Sequence, residues 1–88
     1  MLEKDVERYL AKRVKALGGL CWKWVSPGHS GVPDRIVVLP QGKVYFIELK
    51  RPGGVPTPLQ RLTLAQLTAL GCRATWLDSK EAVDAFFA

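Results

Sequence analysis

The sequence predicts an α/β domain: a mixed sheet flanked by helices, in the order α-β-β-β-α-β-α, ending on a short C-terminal helix. Three observations predict it. Residues 2–17 place apolar side chains at helical spacing and stop at Gly18-Gly19. Residues 34–50 read as two strands around the tight turn Pro40-Gln41-Gly42, which makes them an antiparallel hairpin. After Lys50 a helical pattern and then a strand pattern follow, so the last strand returns by a crossover, expected to be right-handed. A hairpin joined to a crossover gives a sheet of mixed direction.

The elements follow in order. In the first helix Leu2, Val6, Leu10, Val14 and Leu17 form one stripe with Tyr9 beside it, while Lys4, Arg8, Lys12 and Lys15 face elsewhere. Leu20–Val25 is a short aromatic strand, with Trp22 and Trp24 on one face. Residues 26–31, SPGHSG, are too rich in turn formers for helix or strand. Pro33 lacks an N–H and suits a strand start, ahead of the strand Asp34–Leu39. Lys43–Lys50 has the apolar centre Val44-Tyr45-Phe46-Ile47, as expected of a strand covered on both faces. Three prolines and two glycines between 52 and 58 make a loop. Thr57, Pro58 and Gln60 then have the spacing of a capping box opening a helix, Leu59–Leu70, that carries Leu59, Leu62, Leu67 and Leu70. Cys72–Leu77 is the fourth strand, and Lys80–Phe87 a last helix bringing Val83, Phe86 and Phe87 to the core.

Composition narrows the class. Eighty-eight residues make one domain, 1–88, with a modest core. With 48% hydrophobic and 24% charged residues the chain is globular rather than disordered. No apolar run approaches a membrane span, and the charged amphipathic start is no secretory signal, so a cytoplasmic protein is expected. Cys21 and Cys72 read as buried free thiols. No CxxC occurs and the single His29 has no ligand neighbours, which argues against structural zinc. A net charge of +5 favours a polyanionic partner such as nucleic acid.

The chemistry gathers at one end of the sheet. Glu48 and Lys50, two apart on a strand, point to the same side, roughly 6.6 Å apart along it. The hairpin brings Asp34, at the start of the neighbouring strand, beside them to within a residue or two. Two carboxylates so close repel, and one pKa rises unless a divalent cation lies between them. Mg²⁺ takes such a pair together with waters and phosphate oxygens. A lysine alongside can orient or deprotonate an attacking water and stabilise phosphoryl charge. Each residue also has a plainer reading: Asp34 as a turn residue, Glu48 with Lys50 as a surface ion pair, Gln60 as a helix cap.

Pro33-Asp34 followed by Glu48-Leu49-Lys50 resembles the PD-(D/E)XK nuclease signature. With Gly31-Val32 before it and Gln60 after it, the run GVPDRIVVLP…FIELKRPG…PLQ is similar to the VRR-NUC branch. That branch occurs as small stand-alone phage and bacterial proteins and as the nuclease domain of eukaryotic repair enzymes. The resemblance spans nearly the whole chain. It implies a restriction-endonuclease-like α-β-β-β-α-β core and Mg²⁺-dependent endonucleolytic hydrolysis of DNA, with Mn²⁺ as a substitute and branched or junction DNA as the preferred form. Asp34, Glu48 and the backbone carbonyl of Leu49 would be metal ligands and Lys50 the catalytic lysine. Gln60 would complete the site through water or substrate.

The family also places a glutamate on the first helix. Glu3 and Glu7 compete for that part. Glu7, at the margin of the apolar stripe, is preferred as catalytic residue and ligand. His29, Ser30, Arg35, Arg51 and Arg61 are candidate nucleic-acid contacts. One site cuts one strand, so a homodimer is expected. The competing expectations are a non-catalytic nucleic-acid-binding module and a subunit active only inside a larger replication or packaging assembly.

Overall fold

The computed structural model describes residues 1–88. The elements are α1 (Glu3–Ala16), β1 (Leu20–Lys23), β2 (Arg35–Leu39), a 3-10 turn (Pro40–Gly42), β3 (Lys43–Leu49), α2 (Pro58–Ala69), β4 (Arg73–Leu77) and α3 (Lys80–Phe86). Their order is the expected one. The four strands form one sheet in the order β1-β2-β3-β4. The first two pairings are antiparallel, and β3 pairs with β4 in parallel.

Strand alternation divides the side chains between two layers. On one face Val37, Tyr45, Ile47, Leu49 and Leu77 meet Val6, Leu10 and Val14 of α1 and Val83 of α3 in a single apolar cluster. Phe86 and Phe87 close its end, each edge-on to Tyr45. The middle of the α1 stripe is fully buried, whereas Leu2 remains exposed. Tyr9 packs against this cluster and donates from its hydroxyl to both carboxylate oxygens of Asp84 at 2.8 Å, tying α1 to α3.

The other face carries Ile36, Phe46, Glu48 and Trp76, and α2 lies over its β4 side. The capping box at α2 is present: Gln60 N–H donates to Thr57 Oγ1 at 3.2 Å, and Thr57 N–H donates to Gln60 Oε1 at 2.9 Å. The helix meets the sheet differently from its leucine pattern. Thr63 and Leu64 are its buried residues, while Leu59, Leu62 and Leu70 stay exposed. Crossing only part of the sheet, α2 has a narrow contact face, and leucines off that line have nothing to cover them. The two cysteines are half-buried and free rather than fully buried.

Two glycines are demanded by close approach. A Cβ on Gly19 would lie 2.5 Å from the Val38 carbonyl oxygen. Gly31 has φ +85° and would bring a Cβ to 2.8 Å from Leu59 Cγ. The second of these seats the loop before Pro33-Asp34 against α2, which fixes the chain as it enters the site.

Candidate active site

Asp34 stands just before β2. Register pairs Arg35 with Ile47, so the next step of the ladder sets Asp34 opposite Glu48. The carboxylate of Asp34 is held: its Oδ2 accepts from the Leu49 N–H at 2.8 Å. The Trp24 N–H donates to the Asp34 carbonyl at 2.9 Å, fixing the backbone from the β1 side. Asp34 is thus tied to both neighbours at the sheet end.

Glu48 is the unusual residue. It is 2% exposed, yet its Oε1 has no hydrogen-bond partner. Trp76 stands beside it on β4. Burial pushes the Glu48 carboxyl up to about 7, and the adjacent Asp34 charge pushes the same way. Lys50 opposes both, its Nζ 3.5 Å from Glu48 Oε2. An isolated buried carboxylate is costly, and an unpaired buried oxygen more so. A positive charge set between Asp34 and Glu48 would offset both costs. Their hard oxygen donors, with the Leu49 carbonyl at the same strand end, fit a divalent cation.

The remaining expected residues fall in different places. Glu7 is not brought into the carboxylate pair. Its Oε2 accepts from Arg35 Nε at 3.0 Å. Arg35 follows Asp34 in an extended chain, so its side chain leaves the opposite face of the sheet. No three His, Cys, Asp or Glu side chains gather around one point. Glu3 is exposed in the first turn of α1. Arg35 is not a free phosphate contact: besides Glu7 it donates from Nη1 to the Cys21 carbonyl at 3.1 Å. Gln60 spends its Oε1 on the helix cap.

Ser30 and Arg51 are exposed, as is Arg61, although Arg61 Nε donates to the Pro56 carbonyl at 3.3 Å. His29 is exposed too and lines an open groove of about 580 Å³ with Trp24, Val32, Leu67 and Leu70. Two features of the site had no sequence signal: the depth of Glu48 and the Trp76 neighbour that contributes to it. Both depend on how β4 is placed.

Comparison with known proteins identifies the family. Residues 2–81 match the VRR-NUC domain family. "Putative nuclease p44" of Acyrthosiphon pisum secondary endosymbiont phage 1 is 48% identical over 79 residues, covering 90% of this chain and 85% of the relative. A solved VRR_NUC domain superposes with a TM-score of 0.91 at 34% identity, covering 97% of this chain and 92% of the other. A second VRR_NUC domain protein shares the fold, with a TM-score of 0.78 at 18% identity. With the family match spanning nearly the whole chain and the carboxylates of Asp34 and Glu48 set beside Lys50, the chain belongs to the VRR-NUC family of nuclease domains.

Proposed function

We propose that the protein is a divalent-metal-dependent DNA endonuclease of the PD-(D/E)XK type, selective for branched or junction DNA and acting as a homodimer. The observation that carries the metal-dependent reading is the unpartnered, buried Glu48 Oε1 beside the tethered Asp34 carboxylate. Asp34, Glu48 and the Leu49 carbonyl would hold Mg²⁺ or Mn²⁺, and Glu7 would join them by exchanging Arg35 for the cation. Its Oε1 makes no bond to Arg35, so half of the carboxylate is uncommitted. A bound cation would supply Lewis acidity toward a phosphate oxygen and make a nearby water more acidic.

The protein's own groups do the rest. Asp34 and Glu48 would fix the cation's position and thereby where a phosphate can approach. Lys50, held 3.5 Å from Glu48, would set its ammonium beside the attacking water and the developing phosphoryl charge. The Gln60 amide nitrogen has no partner within the protein and can still reach water or substrate. The groove along Trp24, Leu67 and Leu70 is the proposed seat of a second copy, because its lining is largely apolar and Leu70 within it is 83% exposed. Two sites in one particle match a substrate with two strands to cut.

The test incubates the protein with linear, flapped and four-way-junction DNA, with Mg²⁺, Mn²⁺ or EDTA, alongside Lys50→Ala. The expected result is metal-dependent cleavage, strongest on the junction, that Lys50→Ala abolishes. No cleavage with either metal, or equal cleavage by the variant, overturns the reading. A sedimentation mass near 9.8 kDa at micromolar concentration would overturn the dimer.

A further inference from the structure

We propose that the solvent face of α1, together with Lys80 of α3, is a second DNA-binding surface that holds the phosphodiester backbone away from the carboxylate site. The proposal rests on the DNA-nuclease reading above. Lys4, Arg8, Lys12 and Lys15 fall within an arc of about 80° on the helix, opposite the buried Val6, Leu10 and Val14. All four are exposed, and none has a carboxylate within ion-pair distance.

Cations turned toward the protein behave otherwise. Arg13, Arg35 and Lys50 each have an acidic partner, at 3.4, 3.0 and 3.5 Å. The exposed stripe is instead repulsive along its length, because Lys4–Arg8 and Arg8–Lys12 are like charges at i,i+4. Each such pair weakens the helix. A helix that only needed solubility would gain from alternating sign.

Shape and position support a ligand. A furrow of about 450 Å³ runs between α1 and α3, lined by Met1, Asp5, Arg8, Tyr9, Lys12 and Lys80. Lys80 Nζ lies 5.5 Å above the Tyr9 ring, so α3 adds a further cation to the same furrow. Its one acid, Asp5, has Oδ2 committed to the Leu2 N–H at 2.8 Å. The Glu7–Arg35 bond puts the first turns of α1 at the sheet end that bears Asp34. From there the stripe runs about 16 Å to Lys15 at the hairpin end. That length is roughly five base-pair steps of duplex. A strand leaving the scission site at the sheet end therefore meets a line of unpaired cations, and the recognised chemistry is the sugar–phosphate backbone, without base readout.

The test measures binding of a labelled duplex of about 20 base pairs by fluorescence anisotropy, in EDTA, between about 50 and 200 mM KCl. Each phosphate that is no longer neutralised by a cation lowers the slope of log K against log salt by about 0.9. Arg8→Gln/Lys12→Gln/Lys80→Gln is expected to lower it by about 2.7, three times that value. Lys43→Gln, an exposed cation at the start of β3 that does not line the α1–α3 furrow, serves as the control and is expected to change it little. Circular dichroism checks the triple variant's fold, and Lys12→Gln alone replaces it if it melts. A wild type that cuts DNA with Mg²⁺, with an unchanged slope in the variants, overturns the surface and spares the nuclease. An equal decrease per charge in Lys43→Gln also overturns it, as a net-charge effect. A wild type that neither binds nor cuts removes both readings together.

Discussion

The Leu49 N–H donates a 2.8 Å hydrogen bond to Asp34 Oδ2, so the carboxylate at the start of β2 is tethered to the end of β3. The bond holds Asp34 beside Glu48 despite their mutual repulsion. It means the two acids are positioned by the backbone and do not need a ligand to bring them together. That is a form of preorganisation.

Asp34→Asn separates this tether from the charge. The amide oxygen can still accept from Leu49, so the fold is expected to persist, with a melting temperature within a few degrees of wild type. Removing the negative charge also relieves Glu48. Cleavage with Mg²⁺ is expected to fall about 10²-fold or more, the scale seen when a preorganised charge-stabilising group is removed. A large drop in melting temperature with a proportionate fall in cleavage would make Asp34 a structural residue instead.

Glu48 predicts how stability changes with pH in the absence of metal. Its folded pKa, about 7, lies above the ordinary value of 4.5. Between those values the folded protein holds a proton that the unfolded chain has released. Stability therefore falls as pH rises through this window, by about 3 kcal/mol at most. Urea denaturation in EDTA at pH 5 and pH 8 measures it. Glu48→Gln should flatten the difference, because nothing there titrates. Mg²⁺ competes with that proton, so its stabilising effect should grow with pH and reach about 2.7 kcal/mol at a concentration of 100 Kd. Stability that rises from pH 5 to pH 8 in EDTA would contradict the Glu48 assignment.

Much of this was legible in the chain. The order of elements followed from the α1 stripe, the hairpin at Pro40-Gln41-Gly42 and the Thr57–Gln60 capping box, all local signals that the tertiary structure did not override. The meeting of Asp34 with Glu48 followed from hairpin register. Long-range pairings were not legible. Arg35 meets Glu7 across 28 residues, and Tyr9 meets Asp84 across 75. No periodicity encodes which charged side chains find each other once α1 is laid on the sheet. The α2 leucines failed for a related reason: an apolar residue reports an affinity for burial, and only the packing angle decides which of Leu59, Leu64 and Leu70 receives it.

Lys50 is expected to act through both its charge and its reach. Lys50→Ala removes the cation that holds Glu48 down, so the Glu48 carboxyl should titrate higher still and bind metal more weakly at pH 7. Lys50→Arg keeps the charge, but its planar guanidinium cannot surrender a proton. If Lys50 serves only to tune Glu48, Lys50→Arg should retain Mg²⁺ affinity and most of the cleavage rate. If it also handles the proton of the attacking water, Lys50→Arg should retain affinity and lose turnover. The second outcome is expected. Calorimetric Mg²⁺ titration alongside single-turnover cleavage distinguishes them.

Glu7 and Arg35 separate positioning from ligation. Their 3.0 Å bond is partly buried, and Arg35 also satisfies the Cys21 carbonyl. Removing either side chain should cost about 1–2 kcal/mol of stability. The two variants diverge in activity if Glu7 leaves Arg35 to join the cation. Glu7→Gln should then lower cleavage by at least about tenfold and weaken Mg²⁺ binding, as removal of a ligand group does. Arg35→Gln should leave Mg²⁺ affinity equal to wild type or tighter, since it frees the Glu7 carboxylate from its competitor. Equal falls in cleavage from the two variants, with unchanged Mg²⁺ affinity in both, would confine Glu7 to holding the start of β2 in register beside Asp34.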